Sequence, residues 1–477
     1  MTELTHRPAH ELLDDLDARR VSARELLDAA VERNAAVHGS INAIVATDVE
    51  RARADAQKID DARARGESLG RLAGLPMTIK DGFDVEGMPA VSGHPAYADR
   101  PRSCADAEVV ATARAAGALP WGKSNVPLLL GDVQSYNEVY GTTNNPFDLT
   151  RTPGGSSGGA AAALAAGITS LEIGSDIGGS LRTPAGFSGV YALKTTWGTI
   201  SSRGQVPPPP GMYAPGDLGV VGPMASTAAD LRLLQEVLSG GERPAPGGVD
   251  GMRIGVWLDD PELLVSADVR AGVEAAADAL RAEGAKVETV ALPISTAQLL
   301  NTYLALLYPI LSAGYPDKVY DRLLAARPEA LAELAAGAPW HSPAASTVHS
   351  TASHRDVLAT NHVRQTMKDA LAAWFGSWDA ILAPVTPVPA IPHQHEGLLT
   401  TRTIDLDGAQ VPYLHLLSWI SLATTLHVPA LSAPVARTAA GLPVAAQVIG
   451  SWHGEHRLLD VADALERRIG RLPVAAL

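Results

Sequence analysis

From Thr152 to Pro184 the chain is so dense in glycine and serine that its path there is set by backbone freedom, not by side-chain packing. The run opens Thr152-Pro153-Gly154-Gly155-Ser156-Ser157-Gly158-Gly159. It closes Ser175-Asp176-Ile177-Gly178-Gly179-Ser180-Leu181-Arg182-Thr183-Pro184. Glycine lets the main chain take angles other residues resist and approach another molecule closely. Consecutive exposed amides in such a stretch can point at a developing oxyanion. Two hydroxyl groups set in this backbone suit acyl-transfer chemistry.

The flanking pattern narrows the architecture. Residues 9 to 66 read as helical, with Ser22-Ala23-Arg24-Glu25 as a capping box ahead of Leu26, Leu27, Ala30 and Val31 at helical spacing. The apolar run Ile41 to Val45 breaks that helix from the next, where Asp48 can cap Val49 to Arg65. From Leu75 the pattern changes to short apolar strands: Pro76 to Ile79 before Lys80-Asp81-Gly82, then Ala118 to Trp121. Asp106 to Ala116 and Ala160 to Ala166 read as helices. This alternation predicts an α/β fold, a mixed sheet with helices on both faces. Residues 240 to 250 resemble a linker. Beyond them Met252 to Val256 and Lys286 to Val290 read as strands around a helix of about residues 266 to 284, a further strand–helix–strand unit of the same fold. Residues 296 to 376 read as mostly helical and carry no motif.

Composition excludes some classes of function. A formal net charge of −14 argues against a surface that tracks nucleic-acid phosphates, which needs clustered Lys and Arg. The single cysteine, Cys104, has no disulfide partner in the chain and no activating neighbour in Arg102-Ser103-Cys104-Ala105-Asp106. No stretch approaches the roughly 18 uninterrupted apolar residues of a membrane span. The start of the chain shows no basic-then-apolar signal peptide. The expectation is a soluble cytoplasmic enzyme without metal or cofactor.

Two motifs compete with that reading. Gly117-Ala118-Leu119-Pro120-Trp121-Gly122-Lys123-Ser124 has the letters of a phosphate loop. Such a loop needs a strand before it and a helix opening at its Lys-Ser end. Here a helix precedes it, and Pro120 removes an amide donor, so ATP binding is not expected. Gly154 to Gly158 fits the G-x-S-x-G elbow, which demands a hydrophobic strand feeding the serine. Asn144 to Pro153 is loop chemistry instead, and His393, His395, His415, His427, His453 and His456 sit in no distinctive setting.

Taken together, several segments resemble the amidase signature family. They are Gly74-Leu75-Pro76 to Lys80-Asp81, Gly117 to Asn125, Gly141 to Pro146, Pro153 to Pro184, Gly189 to Lys194, Asp379 to Pro387 and Gly441 to Gln447. Their order and spacing cover roughly residues 70 to 225 and 379 to 460. The resemblance implies one domain over 1–477: a helical segment 1–66, a core 70–225, an insert and variable helical region 240–376, and a C-terminal part of the core 379–477. It also implies a Ser–cis-Ser–Lys triad on a mixed sheet. Ser180 matches the nucleophile, Ser156 the bridging serine after a cis peptide from Gly155, and Lys80 the base. The amides of Ile177, Gly178, Gly179 and Ser180 match the oxyanion hole. The apolar run Pro76 to Ile79 would bury the Lys80 ammonium and disfavour its charged form, which the role of base requires.

Family members line the acyl pocket where this chain has Leu128 to Val133, so Leu130, Gly131, Asp132 and Ser157 are the substrate-contact candidates. The apolar character of that stretch suggests an aliphatic or aromatic acyl group. Asp176 and Arg182 flank the nucleophile and read as a pair that orders the loop. Pro207 to Pro210 form a stiff extended segment near the expected entrance. The chain departs from the family at Thr424 to Val428, where an asparagine-glycine pair is common, and at Ala436, where glycine is common. The implied function is amide hydrolysis of a small molecule, with anilides, esters and carbamates within reach of the same machinery. The rival is the glutamine-hydrolysing component of a tRNA-dependent amidotransferase, whose serine- and methionine-rich loop this chain lacks. A homodimer is compatible with the sequence.

Overall fold

A computed structural model of the chain describes residues 2–207, 214–241 and 245–477. Pro208 to Pro210 of the proline segment and residues 242–244 of the linker-like break lie outside the described residues.

Helices Ala9–Asp17, Ala23–Ile41 and Val49–Ala64 open the chain. The Ser22 side chain accepts from the Glu25 amide at 3.1 Å, and the Glu25 carboxylate accepts from the Ser22 amide at 2.9 Å. Both donors lack a partner inside the helix, so this capping box sets where the helix begins.

Fifteen strands follow among the described residues. The first eight are β1 (Ile44–Thr47), β2 (Pro76–Lys80), β3 (Leu119–Ser124), β4 (Tyr136–Asn137), β5 (Gly141–Thr142), β6 (Leu171–Asp176), β7 (Tyr191–Lys194) and β8 (Val220–Ala225). The rest are β9 (Arg253–Val256), β10 (Lys286–Thr289), β11 (Ala380–Pro384), β12 (Thr403–Leu406), β13 (Ala409–Pro412), β14 (Ala430–Arg437) and β15 (Pro443–Gly450). Eleven of them form one mixed sheet in the order β1-β3-β2-β6-β8-β7-β14-β15-β11-β9-β10. β2 runs parallel to both β3 and β6, whereas β8, β7, β14 and β15 are paired antiparallel. β9 and β10 are parallel to each other, and β9 pairs with β11. The residues after the linker-like break therefore extend the same sheet, and the whole is one large α/β domain.

The period of two along each strand separates two cores. Met77 and Ile79 of β2, with Leu171 and Ile173 of β6, join the main apolar cluster. That cluster also takes in helices Ala23–Ile41, Ala228–Ser239, Ala267–Ala282 and Glu455–Ile469. The alternate residues Thr78, Lys80, Glu172 and Asp176 are polar and wholly or almost wholly buried on the opposite face. Helices Gly158–Ala165 and Arg182–Ser188 pack on that second face around Leu181 and Ala192. A sheet buried on both sides with polar groups on one of them marks where the chemistry lies.

Candidate active site

Parallel pairing of β2 with β6 aligns Thr78 with Glu172 and Ile79 with Ile173, so both strands end at the same edge of the sheet. Lys80 is the last residue of β2, and the loop from Asp176 to Arg182 leaves the end of β6. Binding sites of open α/β sheets commonly form at such carboxyl ends. The Lys80 Nζ lies 2.8 Å from Ser156 Oγ, 3.0 Å from Ser175 Oγ and 3.3 Å from the Ser175 carbonyl oxygen. The Gly155–Ser156 peptide is cis. The Ser157 amide donates to the Ser180 carbonyl at 3.1 Å, which ties the Ser156 turn to the Ser180 turn. Ser180 keeps 6% of its surface exposed, whereas Lys80 has none.

Burial drives the Lys80 amine down to about 7 from the usual lysine range, against the opposing influence of the Asp176 charge. Desolvation penalises the ammonium, and among the described residues no carboxylate contacts Nζ closely enough to restore it. A half-neutral amine near pH 7, within hydrogen-bond reach of a serine hydroxyl, is equipped to take its proton.

The loop after β6 wraps the Asp176 carboxylate. It accepts from the Gly179 amide at 2.9 Å, from the Leu181 amide at 3.2 Å, and from Arg182 Nε and Nη2 at 3.0 Å each. Burial would raise Asp176, but the charge and hydrogen bonds of Arg182 outweigh it and hold the carboxyl below its ordinary value. The guanidinium continues inward to Ile420 O at 3.0 Å, Thr424 Oγ1 at 2.7 Å and Gln447 Oε1 at 3.2 Å. Both charged side chains are fully buried, and their partners are protein groups that fix the loop. Gly179 has φ +83, and a Cβ there would lie 2.7 Å from Thr183 Oγ1, so glycine is required. One of the four amides expected at an oxyanion has a protein partner. The Gly179 amide is turned to Asp176, because the carboxylate sits inside the loop and draws that donor inward.

The family described as Amidase matches residues 25–459. The chain belongs to the amidase family. Its fold is the amidase signature fold, and it is a hydrolase of carbon–nitrogen bonds other than peptide bonds. The A subunit of glutamyl-tRNA(Gln) amidotransferase from Anaeromyxobacter sp. (strain K) is 34% identical, over 96% of this chain and 95% of that protein. The AtzE subunit of 1-carboxybiuret hydrolase from Pseudomonas sp. (strain ADP) is 30% identical, over 96% and 97%. A solved structure described as a crystal structure of amidase superposes with a TM-score of 0.79 at 30% identity, covering 97% of this chain and all of that one.

The other expected contacts of this amidase-family enzyme lie nearby in different settings. Leu130 has φ +61 and leans toward Gly82, where a Cβ would lie 3.0 Å from Leu130 Cδ1. Gly131 is exposed. Asp132 is engaged with Arg402, Tyr136 and Tyr413. Ser157 is buried, its hydroxyl donating to the Ser175 carbonyl at 3.4 Å.

Sequence reasoning missed three residues around Lys80 and the Asp176–Arg182 loop. Ser175 is a second hydroxyl on the amine. Glu172 is wholly buried, accepts from Thr78, and is pushed up to about 8 by burial. Tyr303, from helix Thr296–Ser312, donates to the Ile177 carbonyl at 3.3 Å. Glu172 and Ser175 both lie between Thr152 and Pro184, but only Ser175 stands in the closing stretch of that run.

The competing motifs dissolve in this geometry. Lys123 and Ser124 end strand β3 instead of opening a helix, and Lys123 donates to Phe83 O at 2.7 Å and pairs with buried Asp81 at 3.2 Å. No named strand feeds Gly154 to Gly158. His427 is taken by Asp217 at 2.7 Å, and His395 stacks on Tyr136.

Proposed function

We propose that the enzyme hydrolyses the amide bond of a small molecule through a covalent acyl-enzyme on Ser180. The observation that carries this reading is the buried, lowered Lys80 amine 2.8 Å from the Ser156 hydroxyl. Neutral Lys80 takes the Ser156 proton as Ser156 takes that of Ser180, and Ser180 Oγ forms a bond to the substrate carbonyl carbon. The amides of Ile177, Gly178 and Ser180 face the oxygen that gains charge. The proton returns through Ser156 to the leaving nitrogen, the C–N bond breaks, and the amine departs. Water then attacks the ester by the same relay, releasing the acid and restoring Ser180.

The acyl group lies against the apolar cluster of Ile177, Tyr303, Leu304, Leu307, Leu417 and Ile420, and the reading adds Leu130 and Gly131 as contacts. A Cβ on Gly178 would lie 3.2 Å from Tyr303 Oη and 3.7 Å from Leu417 Cδ2, which puts this cluster beside the nucleophile loop. An aliphatic or aromatic acyl group fits such a wall better than a charged one. Esters, anilides and carbamates present the same carbonyl to the same groups. The reaction needs neither metal nor cofactor. The reading includes a cytoplasmic protein, alone or as a homodimer, without nucleic-acid or membrane partners. Among the described residues no helix is long and apolar enough to cross a membrane.

A panel of amides, anilides, esters and carbamates, assayed with wild type and Ser180→Ala, tests the reading. Turnover lost in the variant, with an acyl adduct on Ser180 seen by mass spectrometry, is expected; turnover retained in Ser180→Ala refutes it. The second reading, glutamine hydrolysis for a tRNA-dependent partner, is favoured by the 34% identity to an amidotransferase component. Ammonia release from glutamine that rises when a co-purifying partner is added would select it.

A further inference from the structure

The loop carrying Asp132 touches the relay serine's segment from one side and a distant hairpin from the other. Asp132 Oδ2 accepts from Arg402 Nη1 at 2.7 Å and from the Tyr136 hydroxyl at 3.2 Å. Its Oδ1 accepts from the Tyr413 hydroxyl at 2.8 Å and from the Val133 amide at 2.6 Å. Both carboxylate oxygens are therefore occupied. The side chains of Arg402 and Asp132 are only 6% and 9% exposed. Arg402 reaches further, to Glu396 O at 3.0 Å, Tyr136 Oη at 2.9 Å and His395 O at 3.2 Å. Gln134 adds a two-way bond with the Gln394 backbone, donating at 2.7 Å and accepting at 2.9 Å. Residues 394–413 are thus held against residues 132–136 by charge-assisted and fork-like bonds, the stronger kind.

The other side of this loop is backbone against backbone. A Cβ on Gly155 would lie 2.6 Å from the Gln134 carbonyl oxygen and 2.7 Å from that of Asp132. Ser135 Oγ donates to Gly154 O at 3.0 Å and accepts from the Gly158 amide at 3.1 Å. Contacts from the 132–135 loop therefore lie on both sides of Ser156 in sequence. A group buried in protein bonds has no oxygen left for substrate, and fixing a register is the best-attested use of a buried polar or ionic group.

We propose that Asp132 and Arg402 are positioning residues for the proton relay. They hold the 132–135 loop against Gly154–Gly158, and so set Ser156 between Lys80 and Ser180. This inference rests on the acyl-enzyme reading above, and it assigns Asp132 to the relay's support instead of the acyl pocket.

The test uses Asp132→Asn, Arg402→Lys, Tyr413→Phe and the charge-free pair Asp132→Leu with Arg402→Met. Each is assayed for kcat and KM on substrates with different acyl groups, for thermal midpoint, and for covalent labelling by a fluorophosphonate. In labelling, Ser180 forms an O–P bond, fluoride leaves, and the serine proton passes through Ser156 to Lys80. Expected are kcat losses of up to about 100-fold, alike on all substrates, with KM unchanged and labelling slowed in step. The smallest loss belongs to Tyr413→Phe, and the charge-free pair recovers part of what either single change loses. A KM rise confined to some acyl groups would make Asp132 a substrate contact and overturn the proposal. So would variants that melt earlier while kcat and labelling stay at the wild-type level. Should Asp132→Asn fail to fold, Arg402→Lys and Tyr413→Phe, which keep the charges, decide between these outcomes. Wild-type enzyme that takes no label on Ser180 marks failure of the acyl-enzyme reading itself, a result separate from any difference among the variants.

Discussion

The rate of this enzyme should be governed on the acid side by one buried amine. Lys80 is brought down to about 7 because full burial leaves its ammonium without solvent. Reaching that value from the ordinary lysine range corresponds to on the order of 5 kcal/mol, at about 1.36 kcal/mol per tenfold. About a tenth of the enzyme then carries neutral Lys80 at pH 6 and about nine-tenths at pH 8, so kcat/KM rises roughly tenfold between them. An unperturbed lysine would leave roughly 0.1% or less neutral at pH 7. The assay is a pH series from about 5.5 to 9 on a substrate that does not itself titrate, paired with Glu172→Gln. Glu172 is pushed up to about 8 by burial, so it holds its proton over most of the acid limb. The neutral amide of the variant therefore leaves the limb near 7. A flat profile, or a break near 9 to 10, would refute the assignment of Lys80 as base. A limb that drops well below 7 in Glu172→Gln would show that Glu172 is ionised and holds the lysine proton on.

Ser156→Ala removes the relay but leaves the nucleophile and its amide donors, so labelling of Ser180 should slow by about 10²–10⁴, as for loss of a general acid–base; wild-type labelling would remove Ser156 from the mechanism. Arg182→Met strands the buried Asp176 carboxylate, and urea unfolding should show about 3–5 kcal/mol lost near neutral pH. Because Asp176 is held below its ordinary value, that contribution is present above about pH 4 and fades as pH falls through its folded value. Gly155→Ala drives a methyl into the Gln134 and Asp132 carbonyls; a stability loss of about 1–3 kcal/mol is expected, together with lower activity. An unchanged unfolding midpoint in Gly155→Ala would mean the loop is free to withdraw.

Local chemistry announced itself well. The capping box at Ser22 formed where its letters stand, because both partners lie within one turn of helix. β2 appeared where a short apolar run meets Lys80-Asp81-Gly82, whereas β6 lies inside the glycine–serine run and was not expected as a strand. The Asp176–Arg182 pair was legible because its members stand only six positions apart. The turned Gly179 amide was not, since a count of amides carries no direction. The helices of residues 296 to 376 have no motif of their own, yet one of them carries the tyrosine on the Ile177 carbonyl.

The linear order of residues supplied the candidate groups, through the resemblance to the amidase signature family: hydroxyls at Ser156 and Ser180 in a glycine–serine run, and a lysine after an apolar run. Such a resemblance rests on which residues stand next to one another along the chain. The assembled fold alone brings Lys80 to 2.8 Å from Ser156, since the register of β2 against β6 is set by packing on both faces of the sheet. It likewise decided that Asp132 meets Arg402, 270 residues onward, because the 394–413 segment must fold back over the loop before the pair exists. The lowered lysine belongs to the same class: its cause is burial, and burial is a property of the assembled core.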